Sequence, residues 1–193
     1  MSLVHHLPPG YTLVYPNREK QSSRTAKASV VAVLLLSAVV ILAITIGGWN
    51  RLEGMTPLSF AWVLVYVLIA FYVSRWARGL LPVAASLATL LLVPLIVSLS
   101  GLGGTTWSER GGSGYGPVRT IFGGGGFSPG ALSLLTIVLL VIQLALIVVC
   151  VRAFMQAWNI EAEVPESELT EAQRRNGSAR SERSARAQGV HRR

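Results

Sequence analysis

The chain has 193 residues, 51% of them hydrophobic and 13% charged, with a formal net charge of +8. The apolar residues are concentrated in four blocks, which excludes an ordinary soluble domain, and the single cysteine excludes an intrachain disulfide. The basic residues lie outside these blocks or at their ends, and mostly to one side of them, so nucleic acid is set aside as a partner.

Residues 1–27 are expected to form a cytoplasmic N-terminal segment. Pro8, Pro9 and Gly10 break any helix there, and His5 and His6 lack a third ligand, so no metal site is expected. Tyr11 and Tyr15 suit a membrane surface, and Arg18, Lys20, Arg24 and Lys27 hold this end in the cytoplasm. The first apolar block, about 28–48, is longer than the apolar core of a signal peptide. It is read as a retained anchor ending at Gly47-Gly48-Trp49.

The second block, about 58–76, follows Thr56-Pro57, a pattern that predicts an N-cap and a proline at the first helical position. It carries Phe60, Trp62, Tyr66, Phe71 and Tyr72. Tyr66 falls near mid-membrane, where its hydroxyl needs a partner. Gln143, near the middle of the fourth block, is the candidate. The pair reads either as an interhelical bond or as a polar contact on a transport path.

The third block, about 80–100, opens at a turn formed by Gly79 and Pro82. Its pairs Ala84/Ala88 and Ala85/Thr89 allow close helix approach. Pro94 is a candidate kink, because proline removes one helical hydrogen bond.

Residues 101–129 form a long outer loop, and 12 of residues 101–130 are glycine. Trp107, Tyr115, Phe122 and Phe127 are interleaved and mark a candidate partner loop. Ordering so many glycines is entropically costly, so the loop is expected to be mobile or held by its aromatics. The run Gly126-Phe127-Ser128-Pro129-Gly130 matches G-x-S-x-G, but no strand precedes it and no histidine lies on that side. Ser128 therefore reads as an N-cap, not a nucleophile. Glu109 and Arg110 read as a solvated surface pair.

The fourth block, about 130–152, starts at Ser128-Pro129, and Cys150 serves as an apolar filler near its end. Residues 28–160 thus form the transmembrane domain. Residues 161–193 are a charged tail, acidic first and Arg-rich later, with a short helix expected over 165–175 and disorder beyond 178.

Three of the 17 Lys and Arg residues, Arg51, Arg110 and Arg119, lie in the two loops on one side; the other 14 lie on the opposite side. The positive-inside rule then places both termini in the cytoplasm. No Asp, Glu, Lys, Arg or His lies in the centre of a block, which disfavours ion-coupled transport. The absence of His there disfavours haem, and one cysteine disfavours thiol redox chemistry.

The expectation is an all-α integral membrane protein, a four-transmembrane-helix bundle with N-in/C-in orientation. Its expected role is a non-catalytic accessory, assembly or scaffold subunit of a membrane complex; the alternative is a small transporter or channel component acting as a homo-oligomer. No cofactor is expected. The expected partners are the lipid bilayer and a membrane protein or second copy. An Arg-, Ala- and Gly-rich composition suits a bacterial plasma membrane.

Overall fold

The computed structural model describes residues 11–52, 54–102, 106–112, 117–158 and 162–165. They belong to two compact units, one spanning residues 20–158 and one formed by the two ends of the chain.

The larger unit holds four long helices: α1 Gln21–Gly47, α2 Thr56–Ser74, α3 Leu80–Ser100 and α4 Pro129–Met155. All four are long and apolar enough to cross a membrane. The shortest, α2, has 19 residues. At 1.5 Å per residue that is roughly 28 Å, close to the ~30 Å hydrocarbon core.

The helix starts differ in instructive ways. α1 begins at Gln21, ahead of the apolar block, so its first turns are polar. That extension is held at the end of the bundle where the α2–α3 turn and the end of α4 also lie. Ser23 Oγ donates to Gln156 Oε1 at 3.1 Å. Lys27 Nζ donates to Ser74 O at 3.3 Å and stands 4.0 Å from the Trp76 ring centroid. α2 corrects the expected cap: Met55 is the N-cap, without a side-chain hydrogen bond, and Thr56 is already helical. α4 follows the predicted pattern, with Ser128 Oγ accepting from Ala131 N.

α1 packs against α2 and α4, and α3 packs against α4. α2 and α3 touch little, although only residues 75–79 join them. The bundle is therefore a ring of packed helices whose loosest seam lies between α2 and α3. α3 buries Leu81, Ala84 and Ala88 completely, which places its small-residue stripe on the face it gives to its neighbours. Ala85 is half-buried, and Thr89 is exposed and donates to Ala85 O of its own helix. Outward positions such as Leu64, Leu68, Val93 and Leu134 are exposed and apolar, as a lipid-facing surface requires.

α2 ends in a Schellman motif: Trp76 N–H reaches Val73 O and Ala77 N–H reaches Tyr72 O. The left-handed position usually belongs to glycine, yet Trp76 holds it at φ 70°. A side chain there costs about 1–2 kcal/mol. The indole offsets that cost by stacking edge-on with Trp158 (ring centroids 5.6 Å apart) and sitting beneath Lys27. At the same end, Arg78 Nε and Nη2 both donate to Phe154 O, at 3.0 and 2.7 Å. These bonds reinforce a carbonyl in the last turn of α4 that otherwise accepts a long bond from Ala157 N–H, at 3.4 Å.

The smaller unit contains two short antiparallel strands, β1 Tyr11–Val14 and β2 Ala162–Pro165. Tyr11 pairs with Pro165 and Val14 with Ala162. Pro165, the expected start of a short helix, closes a strand, and residues 166–175 of that helix lie outside the described residues. Proline is tolerated there because it sits at a strand end. A single turn, Pro16–Glu19, follows β1, and the Arg18 guanidinium lies 3.9 Å from the Tyr15 ring centroid. His5, His6 and residues 166–193 lie outside the described residues.

Candidate functional site

Two features stand out above the packing: a polar core at mid-bundle, and a loop assembly over a cavity at the end where α1 meets α2 and α3 meets α4.

The polar core links three helices. Tyr66 Oη on α2 donates to Gln143 Oε1 on α4 at 2.7 Å. Gln143 Nε2 donates to Ser37 Oγ on α1 at 3.2 Å, and Ser37 Oγ donates to its own helix at Val33 O, 2.8 Å. All three side chains are 0% exposed. One amide thus satisfies a phenol and a hydroxyl with no water needed, as a dry interior requires. Ser37 is the member that sequence reasoning missed. A serine in a helix can always bond its own i−4 carbonyl, so nothing marked it as an interhelical partner.

At the loop end, Asn50 uses both halves of its amide on the glycine loop. Its Nδ2 donates to Pro117 O and its Oδ1 accepts from Arg119 N–H, both at 2.9 Å. The chain then folds back as a tight hairpin. Gly126 N–H reaches Val118 O and Thr120 N–H reaches Gly124 O, both at 2.9 Å, and Gly123 turns the tip at φ 81°. Two glycines make the docking possible. A Cβ on Gly126 would lie 2.3 Å from Gly47 O, and a Cβ on Gly47 would lie 2.2 Å from the Phe127 ring. Phe127 N–H in turn donates to Gly47 O at 2.9 Å. The second half of the loop is therefore held by the Asn50 side chain and by the Phe127–Gly47 backbone bond, with the Phe127 ring packed on Gly47. Phe122 stands at the tip, 87% exposed.

Trp107 corrects its place among the partner-facing aromatics, because it is only 3% exposed. Its Nε1 donates to Thr136 Oγ1 on α4 at 2.9 Å, and its carbonyl accepts from Arg51 Nη1 at 3.2 Å. Tyr115 lies outside the described residues. Pro94 lies inside α3, which runs unbroken to Ser100, and faces the cavity below Trp107.

That cavity measures about 150 Å³. Its walls are Ile41, Ile44, Leu91, Leu95 and Leu139, with Trp62 to one side and Trp107 and Arg110 above. Arg110 and Glu109 do not act as the expected pair. Glu109 accepts from Thr106, through both backbone N–H and hydroxyl. Arg110 donates to two neutral oxygens, Arg51 O at 3.2 Å and Ser98 Oγ at 3.3 Å, with its guanidinium over the Trp107 ring. Arg110 Nε and Trp62 Nε1 are buried with no hydrogen-bond partner. Each such donor costs about 1–3 kcal/mol.

Among the described residues, no three His, Cys, Asp or Glu side chains come together as a metal cluster would require. Cys150 is buried and unpaired in a disulfide, and Ser128 Oγ is engaged as a helix cap. Nothing in these positions assembles a nucleophile with a base.

Four membrane-length helices around a dry polar core define the chain as a helical membrane protein. No protein-family model, curated protein or solved structure matches it.

Proposed function

We propose that this chain is a non-catalytic subunit that works by association within a bacterial plasma membrane, with both termini in the cytoplasm. The observation that carries the reading is the hairpin. Glycine-rich backbone is ordered at an entropic cost, and what that order presents is one aromatic ring on the tip. Phe122 supports nothing inside its own chain, and an exposed aromatic on a rigid support suits an interface anchor. The polar core supports the same reading, since its groups are bonded to one another. A transport path through Tyr66 and Gln143 would need both to face water; here both are wholly buried.

Gentle detergent extraction should recover a stoichiometric membrane-protein partner. Phe122→Ala should lower that recovery about ten-fold or more, the effect of losing an interface anchor. A homo-oligomer without a partner, or recovery indifferent to Phe122, would sink the reading. The orientation rests on the 14-to-3 distribution of basic residues. A reporter active only outside the cytoplasm should be silent after Arg193 and active near Gly112. The opposite pattern would invert the protein.

A further inference from the structure

We propose that the cavity beneath Trp107 is a lipid site, taking part of one acyl chain of an anionic phospholipid whose headgroup lies at Arg110. Three independent observations converge on this occupant. The walls are hydrocarbon, and about 150 Å³ is the size of cavity that stays dry and accepts an apolar molecule the size of benzene. It therefore holds a short stretch of acyl chain, and the remainder needs a way out sideways. The seam between α2 and α3, the most sparsely packed of the bundle, is where that exit would run.

The charge complement is at the top. Arg110 lines the cavity, and among the described residues its two bonded partners are neutral oxygens, so its charge calls for an anion. A guanidinium matches phosphate oxygens through its fork of donors. Its buried, unpartnered Nε adds a donor that a lipid oxygen would satisfy after a small shift of the side chain. Trp62, whose indole N–H points to the Tyr66 hydroxyl without a close bond, lines the same cavity six residues into α2, roughly 9 Å along its axis. That depth suits the ester oxygens of a glycerolipid, which lie below its phosphate. A wholly apolar guest would leave the Arg110 charge and its Nε unsatisfied, so an amphiphile with an anionic head fits better than hydrocarbon alone.

The test uses the full chain in neutral detergent, with native mass spectrometry after addition of dioleoyl phosphatidylglycerol or dioleoyl phosphatidylcholine. One phosphatidylglycerol per chain should be retained, about ten-fold more readily than phosphatidylcholine. Arg110→Gln should remove that preference, while Arg119→Gln, a change on the exposed hairpin, should keep it. Trp62→Phe, which keeps an aromatic ring but removes the pyrrole half of the indole with its N–H, should lower retention of both lipids and serves if Arg110→Gln fails to fold. Equal retention of the two lipids would overturn the proposal, leaving an apolar void filled by any chain. So would loss of the preference in Arg119→Gln, which would indicate general surface attraction, or wild-type behaviour of both cavity variants. Inorganic phosphate at millimolar concentration should not displace the lipid; displacement would mean an anion site without an acyl chain.

Discussion

Replacing Gly126 with alanine should unseat the outer hairpin and cost about 2–3 kcal/mol, the upper range for overpacking a tight contact. The added methyl would lie 2.3 Å from Gly47 O and 2.8 Å from the Val118 side chain. The first of these is backbone at the end of α1, and it cannot rotate away. Relief must come from the hairpin lifting, which breaks Phe127 N–H to Gly47 O and strains both Asn50 bonds. Gly125→Ala is the matched control. A Cβ there meets nothing within 4 Å, so its effect should stay within about 0.5 kcal/mol. Thermal unfolding in detergent checks the first number. Chymotrypsin cleavage after Phe122 should accelerate in Gly126→Ala and remain unchanged in Gly125→Ala. Equal effects of the two alanines would remove the close approach as the cause.

The second large effect belongs to the polar core. Gln143→Leu leaves the Tyr66 hydroxyl buried with no acceptor, and it also severs α4 from Ser37 on α1. The expected loss is about 1–3 kcal/mol, the cost of an orphaned buried polar group. Tyr66→Phe should cost less, because Gln143 keeps its bond to Ser37. Combining the two replaces the Tyr66–Gln143 pair by apolar groups and should be milder than Gln143→Leu alone. A double mutant cycle read by reversible unfolding in mixed micelles measures the coupling. If the double variant lost as much as the sum of the singles, Tyr66 and Gln143 would not be acting on each other. In membranes such bonds are often modest, so a coupling near 0.6 kcal/mol would already be typical.

The four helices were legible because each must satisfy its backbone internally across a fixed thickness, which writes a long apolar block into the chain. Tyr66 and Gln143 stood out for a related reason: a phenol and an amide inside such blocks have few acceptors other than each other. The hairpin was not legible. Its order comes from Asn50, one polar residue in a short loop, reaching backbone atoms 67 and 69 positions away. Nothing local in the glycine run announces that partner. Trp107 misled for the complementary reason. An aromatic in a loop reads as exposed, but its burial depends on Thr136 and Arg51, each a long way off in the chain. The polar first turns of α1 were read as a flanking segment, because their helicity depends on contacts to Gln156, Ser74 and Trp76, not on hydropathy.

Asn50 holds the hairpin entirely through main-chain atoms, so the clamp is blind to what the tip residues are. Residues 121–124 can change their side chains without touching the bonds that fix the hairpin, apart from the glycine that turns at position 123. The fold therefore separates a constant mount, built from Gly47, Asn50 and Gly126, from an interchangeable display. Such a tip could carry a grafted peptide without disturbing the helices below.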